Sequence, residues 1–162
     1  MGFDLIIENG LVVDGTGTPG THDSVGITGT KITAIGDLTA AEAARRIDVS
    51  GHVVSPGFID THAHSDGALL IDGQHAEGIR QGVTTELVGP DGLTYAPLPR
   101  DEYHMYRQYL SGLLGLPPKD LDMSSISSAL NNYHNKTAPN VAMFLGHGPI
   151  RVGAVGMEDV PL

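Results

Sequence analysis

From Val53 onward the sequence alternates between strand-like and helix-like segments, and this alternation constrains the fold more than any other feature. Three apolar runs have strand length: VVSPGFIDTHAH (53–64), VTTELVG (83–89) and NVAMFLG (140–146). Helical patterns lie between them: DGQHAEGIRQG (72–82), RDEYHMYRQYLSGLLG (100–115) and the segment from about Ser124 to Tyr133. This order is typical of parallel βαβ units, so the sequence predicts an α/β fold.

The first fifty residues have a different character, because short β-like runs follow one another without helical patterns. These runs are FDLIIE, GLVVD, SVGIT, KITAIG and RRIDV, and turn residues separate them. Asn9-Gly10 stands between the first two runs, and Asn-Gly is the strongest short hairpin signal, since both turn positions need a positive φ. The sequence therefore predicts a strand-rich module with a two-residue hairpin at Asn9-Gly10.

Composition excludes several classes of partner. Nine Lys and Arg residues against nineteen Asp and Glu residues give a formal net charge of −10, which disfavours nucleic acid and anionic membrane surfaces. The acidic N-terminus does not resemble a signal peptide, and no apolar run reaches the length of a membrane span. Since the chain has no cysteine, any metal must take nitrogen and oxygen ligands. We expect a soluble, cytoplasmic protein.

Polar residues stand where each of the three later strands is predicted to end. His62 and His64 follow the first strand, Asp91 follows the second in GPDG, and His147 follows the third in GHG. Residues i and i+2 of a strand share a face, so the two imidazoles can converge on one point. Because ligands gather at the carboxyl ends of parallel strands, the pattern is consistent with a metal site.

Each of these residues also has a simpler interpretation. His62 and His64 could be buried histidines with satisfied hydrogen bonds. Asp91 could be only a turn residue, since Asp and Gly favour turns, and His147 could only cap a strand end. The residues alone leave these alternatives open.

Several neighbouring residues receive structural interpretations. Asp60 is predicted to orient the histidines, and Asp66 to be a loop or helix-cap residue. Tyr95 either faces a substrate or packs within its loop. The remaining histidines are predicted to be solvated, at positions His22, His52, His75, His104 and His134.

The combination of motifs resembles a known family. PGFIDTHAHSD, QGVTTELVG, DGLTYAP and FLGHGPIR are similar to motifs of the amidohydrolase superfamily, most of all its N-acyl-D-amino-acid deacylase (D-aminoacylase) branch. The resemblance implies that residues 1–54 are a β-sandwich segment of a composite small domain. It also implies that residues 55–162 are the first strands and helices of a TIM-type (β/α)₈ barrel, incomplete in this chain.

The resemblance also implies a metal centre. His62 and His64 match the two histidines that bind a divalent metal, zinc by preference, at the end of the first barrel strand. In this branch a cysteine at the second strand end helps to hold zinc, and here Asp91 stands in its place. A carboxylate is a harder ligand than a thiolate, so this difference bears on which metal is bound.

Further roles concern the substrate. His147 matches a segment that lines the active-site mouth of the family, and Tyr95 is assigned to the same substrate-binding group. Arg151 follows, and its guanidinium is suited to bind a substrate carboxylate through two parallel hydrogen bonds. The family's proton-shuttling aspartate and two further histidine ligands have no match in this chain, so we expect the general acid/base beyond Leu162.

The expected activity is hydrolysis of the amide bond of N-acyl-D-amino acids, which are small-molecule substrates. A complete barrel takes about 250 residues, so we expect this chain to be the N-terminal part of a longer enzyme and inactive alone. Its barrel would then be completed by its own remainder or by another chain. The alternatives are a cyclic-amide hydrolase of the dihydroorotase or hydantoinase kind, and a truncated chain without catalysis.

Overall fold

The computed structural model describes residues 2–159 and divides the chain into two compact units, Met1–Pro56 and Gly57–Leu162. Together they contain strands and helices, in agreement with the predicted α/β class. Their assignment to a β-sandwich segment and to a barrel stays a prediction. No helix among residues 2–159 is both long enough and apolar enough to cross a membrane.

Within the described part of the first unit, five strands form one sheet. The strands are β1 (Phe3–Val12), β2 (Thr21–Thr28), β3 (Lys31–Gly36), β4 (Ala43–Asp48) and β5 (Val53–Val54). The order is β3-β2-β1-β4, and β5 also pairs with β1. The pairs β1-β2 and β2-β3 are antiparallel, whereas β4 and β5 run parallel to β1. Ile6 and Val25 are buried on this sheet.

The predicted hairpin at Asn9-Gly10 is wrong, because β1 continues through these residues. The pairing of β1 with β2 shifts between Ile7 and Gly10, so the extra residue forms a β-bulge. Asn9 has a φ of 65°, the left-handed conformation that a two-residue turn would also require. A Cβ at Gly10 would lie 2.8 Å from Val49 Cγ2, so close packing also favours glycine there. The backbone conformation was therefore predicted, but not the strand pairing.

The second unit contains a parallel sheet with helices between its strands. Among the described residues the strands are β6 (Phe58–Ala63), β7 (Val83–Val88) and β8 (Asn140–Met143), in the order β6-β7-β8. The helices are α1 (Asp66–Ile71), α2 (Ala76–Ile79), α3 (Arg100–Tyr109), α4 (Ser111–Leu114), α5 (Ile126–Tyr133) and α6 (His147–Val155). Both strand pairs are parallel, as the βαβ pattern predicts.

The first strand of this sheet differs from its prediction. VVSPGFIDTHAH was predicted as one strand, but the chain forms β5 and β6 with 55–57 between them. All residues of β6 except Ala63 are exposed. β6 lies at the edge of the sheet and pairs only with β7 among the described residues, so its side chains have few neighbours.

Helices α3 to α5 build the main core of the second unit. Its buried side chains include Tyr103 and Tyr106 from α3, Leu114 from α4 and Ala129 from α5. Tyr133, at the end of α5, packs in a smaller cluster with Leu69 and Val88. The Tyr133 hydroxyl donates a 2.9 Å hydrogen bond to the backbone oxygen of Asp66, which ties α5 to the start of α1.

Two helical glycines provide a test of this packing. A Cβ at Gly67 in α1 would lie 2.4 Å from the backbone oxygen of Leu114, whereas a Cβ at Gly153 in α6 would meet nothing within 4 Å. We expect Gly67→Ala to lower the free energy of unfolding by about 1–3 kcal/mol through overpacking. Gly153→Ala is expected to raise it by about 0.5–1 kcal/mol, since alanine is the better helix former.

Urea unfolding followed by tyrosine fluorescence measures both effects. All five tyrosines lie in the second unit and the chain has no tryptophan, so the signal reports on that unit. Equal destabilisation by the two substitutions would contradict the contact between α1 and Leu114.

Candidate metal centre

The structure brings His62, His64 and Asp91 together at one end of the parallel sheet. Oδ2 of Asp91 lies 3.2 Å from Nε2 of His62 and 3.3 Å from Nε2 of His64. One ligand atom from each residue lies within 4.8 Å of the other two. Two imidazole nitrogens and a carboxylate oxygen therefore face a common point.

These separations fit a divalent ion. With metal–ligand bonds of about 2.0–2.1 Å and tetrahedral angles, neighbouring ligand atoms lie about 3.3 Å apart. The two Nε2 atoms stand at that distance from Asp91 Oδ2. The alternative of two satisfied buried histidines does not fit, since the His62 side chain is 61% exposed and Nδ1 of His64 is buried without a hydrogen-bond partner among the described residues.

The end of β6 is irregular where it carries the histidines. The pairing of β6 with β7 shifts between Asp60 and Ala63. Oδ1 of Asp60 accepts a 3.0 Å hydrogen bond from the backbone N–H of His62, which satisfies a donor at this irregularity. Asp60 thus acts on the backbone that carries His62, and no contact with an imidazole is needed for this role.

Asp91 lies in a 3₁₀ turn, Pro90–Gly92, directly after β7. Its φ is 58°, a left-handed conformation that Asp tolerates better than most residues. Gly89 and Gly92 on either side also have positive φ. Asp91 is therefore a turn residue, and the turn points its carboxylate at both imidazoles.

His147 was predicted at a strand end, but it begins helix α6. The run NVAMFLG was predicted to be a strand as far as Gly146, but β8 stops at Met143. The segment Gly146–Gly148 packs on the turn of Asp91: a Cβ at Gly92 would lie 3.3 Å from Cβ of His147. His147 thus neighbours the turn that carries Asp91, and it is not a member of the three-residue cluster.

Arg151 lies one helical turn after His147 on α6, so the two residues share a helix face. Its guanidinium Nη2 donates a 2.8 Å hydrogen bond to the backbone oxygen of Glu158. Its role toward a carboxylate stays a prediction.

Tyr95 is a core residue in this structure. It is 1% exposed, and its hydroxyl donates a 2.6 Å hydrogen bond to the backbone oxygen of Gly115. Burial raises the pKa of this hydroxyl. This burial favours the packing alternative, and the assignment of Tyr95 to substrate binding stays a prediction. Sequence could not decide between them, because Gly115, whose backbone oxygen the Tyr95 hydroxyl binds, lies 20 positions away in the chain.

Comparison with known proteins gives a family context. No family model matches the sequence. The N-acyl-D-glutamate deacylase of Alcaligenes xylosoxydans xylosoxydans is 40% identical over 154 residues, which are 94% of this chain and 30% of that protein. A solved D-aminoacylase structure, described for the functional role of its binuclear metal centre, matches with a TM-score of 0.78 and 38% identity over 93% of this chain and 31% of its own.

A third relative is an N-acyl-D-glutamate deacylase from Bordetella bronchiseptica, solved with zinc and a phosphonate inhibitor that mimics the tetrahedral intermediate. It matches with a TM-score of 0.81 and 30% identity over 96% of this chain and 32% of its own. The chain is similar to N-acyl-D-amino-acid deacylases over 93–96% of its length. The predicted family resemblance is thus confirmed, and the chain spans about 30% of the length of the relatives it matches.

Two buried carboxylates near the three-residue cluster, Asp66 and Glu86, were not predicted to bear on the site. Asp66 was interpreted as a loop or cap residue, but it is fully buried as the first residue of α1, two positions after His64. Neither carboxylate oxygen has a hydrogen-bond partner among the described residues. Burial raises the pKa of Asp66 to about 6, and the nearby His64 opposes this shift.

The raised pKa of Asp66 predicts a pH dependence of stability in the metal-free protein. The folded state holds the proton more tightly than the unfolded state, so stability from this group is highest below about pH 4 and falls as the pH rises to about 6. A rise of the Asp66 pKa from 3.8 to about 6 corresponds to roughly 3 kcal/mol of folding stability.

Asp66→Asn removes this titration and keeps the shape of the side chain. We expect the free energy of unfolding of the wild type to fall by roughly 2 kcal/mol more than that of Asp66→Asn between pH 4 and pH 7. Urea unfolding with EDTA present, followed by tyrosine fluorescence, measures the difference. Parallel pH profiles for the two proteins would contradict the shifted pKa.

Glu86 is the second unpredicted residue. It is 2% exposed on β7, accepts a hydrogen bond from the Ser65 hydroxyl, and lies 2.9 Å from Nε2 of His75 through Oε1. The interpretation of His75 as solvated is therefore wrong. A signal was present in the sequence, since Glu86 interrupts the apolar run VTTELVG, and a charge in a buried strand requires partners.

Proposed function

We propose that this chain is part of a metal-dependent amidohydrolase that hydrolyses the amide bond of N-acyl-D-amino acids. The observation that carries the proposal is the convergence of His62, His64 and Asp91 at the carboxyl end of a parallel sheet. The relatives named above support the substrate class, because N-acyl-D-glutamate deacylase shares 40% identity with 94% of this chain. In this proposal the sheet β6-β7-β8 is the first part of a TIM-type barrel.

His62, His64 and Asp91 would hold the ion, with zinc as the first choice. A divalent ion held there would lower the pKa of its bound water to about 7 and polarise an amide carbonyl. The three residues offer two nitrogens and one oxygen, which leaves room for water in a four-coordinate site. The Asp91 carboxylate stands in place of a thiolate. Both ligands carry a negative charge, but the carboxylate is the harder of the two.

His147 and Arg151 would contact the substrate from α6. Both lie on the helix that begins directly after β8, beside the turn of Asp91. An N-acyl-amino acid carries a carboxylate close to its scissile amide, and a guanidinium binds carboxylates through paired hydrogen bonds. The proton for the leaving amine would come from a carboxylic acid on a later strand, which acid–base catalysis of this kind requires.

The experiment is an assay of the protein isolated from its native source, with amino-acid release from N-acetyl-D-glutamate and N-acetyl-D-methionine as the readout. We expect hydrolysis that EDTA abolishes and Zn²⁺ restores. Absence of release from any N-acyl-D-amino acid by the zinc-loaded protein would overturn the proposal.

The 162-residue chain assayed alone provides the comparison. Because the general acid/base is expected on a later strand, this chain is expected to bind metal without hydrolysing the substrate. Turnover by the chain alone would contradict that part of the proposal. The cytoplasmic location inferred from the lack of cysteine stays part of the proposal as well.

A further inference from the structure

A buried carboxylate lies on β7, the strand that pairs with β6, whose end carries the histidine ligands. Glu86 on β7 is 2% exposed, and both of its oxygens have partners. Oε2 accepts a hydrogen bond from the Ser65 hydroxyl, and Oε1 lies 2.9 Å from Nε2 of His75. A buried carboxylate is costly unless such partners compensate for its lost hydration, so the three side chains form one unit. We call Ser65, His75 and Glu86 the Glu86 network.

The backbone links the Glu86 network to the metal centre, because Ser65 is next to His64 in the chain. Ser65 follows His64 directly and is the N-cap residue of α1, without a side-chain capping bond to its own helix. Its hydroxyl is instead used to bind Glu86, which is 21 positions away in the sequence. The hydrogen bond therefore fixes the residue next to a metal ligand to the neighbouring strand.

His75 is held on Glu86 at a conformational cost. Its backbone has a φ of 42° and a ψ of 53°, which is uncommon for a residue other than glycine. Gly78 leaves space for the imidazole, since a Cβ there would lie 2.8 Å from Cδ2 of His75 and 3.3 Å from Oε1 of Glu86. Such strain persists only where the surroundings determine the conformation, and it concentrates near functional sites.

The network and the metal centre share one cleft. A cleft of about 490 Å³ is lined by His62 and His64 together with Ser65, His75 and Glu86. The network thus lines the same cleft as both histidines, and His75 places one end of it at the start of α2.

We propose that Glu86 is a positioning residue for the metal centre. Held by His75, it fixes Ser65 and so keeps the segment after β6 in the conformation that places His64 opposite Asp91. The proposal rests on the proposed function only in taking His64 as a metal ligand. Groups that orient metal ligands typically change metal affinity about 10–100-fold when removed.

Zinc affinity, measured by competition with a chromophoric chelator, tests this role. We expect Glu86→Ala and Ser65→Ala each to weaken Zn²⁺ binding about tenfold, at the lower end of that range because Glu86 acts through the backbone. Glu86→Gln is expected to restore most of the affinity, since an amide can still accept from Ser65. Glu77→Ala is the matched control, because Glu77 lines the same cleft, carries the same charge and is exposed.

The visible absorption of bound Co²⁺ gives a readout that a loss of stability alone would not move. We expect Ser65→Ala to change the position or intensity of the Co²⁺ bands, which depend on ligand geometry, and Glu77→Ala to leave them unchanged. If Glu86→Ala does not fold, Ser65→Ala carries the test, because it removes the same hydrogen bond and keeps the pair of Glu86 and His75.

Two outcomes would overturn the proposal in distinguishable ways. Affinities within twofold of wild type for Ser65→Ala and Glu86→Ala, with unchanged Co²⁺ spectra, would exclude the positioning role and leave the metal centre intact. Equal Zn²⁺ affinity of wild type and His64→Ala would instead show that His64 is not a metal ligand. The positioning role of Glu86 would then be excluded as well.

Discussion

Replacing His64 by alanine is expected to lower the affinity for Zn²⁺ by more than about 100-fold, because even groups that only orient ligands cost 10–100-fold when removed. The substitution deletes one of the two nitrogens that face Oδ2 of Asp91. Its effect on the fold should be small, since the buried Nδ1 of the imidazole has no hydrogen-bond partner within residues 2–159. His62→Ala is expected to act in the same direction, and hydrolysis by the full enzyme should fall by orders of magnitude.

Isothermal titration with ZnCl₂ measures this effect, and His134→Ala provides the control. His134 is an exposed histidine at the end of α5, outside the three-residue cluster, so its loss should leave the Zn²⁺ affinity unchanged. If His134→Ala and His64→Ala weakened binding equally, the zinc would be bound at scattered surface histidines instead.

Replacing Asp91 by cysteine is expected to raise the affinity for Zn²⁺ by about tenfold or more and to lower the affinity for Mn²⁺, because a thiolate is a softer ligand than a carboxylate. The turn already points the side chain of residue 91 at both imidazoles. The gain is limited by the φ of 58° at this position, which Asp adopts more readily than Cys. Competition titrations with the two metals measure the change in selectivity.

The chain has no other cysteine, so a control must account for zinc binding by any new thiol. Asp101→Cys places a thiol at an exposed position in the first turn of α3 and should not alter the selectivity. Asp91→Asn keeps the turn but removes the charge, and it is expected to weaken Zn²⁺ binding. A selectivity for Zn²⁺ over Mn²⁺ that is the same for Asp91→Cys and wild type would exclude residue 91 from the coordination sphere.

Local patterns predicted the elements of the second unit well. The three runs at 53–64, 83–89 and 140–146 contain β6, β7 and β8, and the helical patterns contain α2 to α5. Apolar residues recur along a helix or strand with the period of that element, because one of its faces is buried. A short stretch of sequence is enough to show this period. The short helix α1 was not predicted, since Asp66–Ile71 follows the histidine motif too closely to show a full period.

Two errors arose where a local signal had more than one structural outcome. Asn9 adopts the left-handed conformation that a hairpin turn requires, but β2 pairs with β1 on both sides of Asn9, so the same conformation forms a bulge. His147 follows a strand, but the glycines on either side of it pack against the turn of Asp91, and α6 begins there. In both cases the deciding contact comes from a distant part of the chain.

Local patterns in the sequence were enough to predict the α/β alternation of the second unit, the resemblance to the deacylases, and the meeting of His62, His64 and Asp91 at the ends of parallel strands. The fold was needed to show that Tyr95 is a core residue and that Glu86 binds Ser65 and His75. It was also needed to show that the buried carboxylate of Asp66 has no hydrogen-bond partner among the described residues. The two kinds of information differ in their range along the chain. Side-chain periodicity and turn preferences act over a few residues, whereas burial and the pairing of charges depend on which distant segments the fold brings into contact.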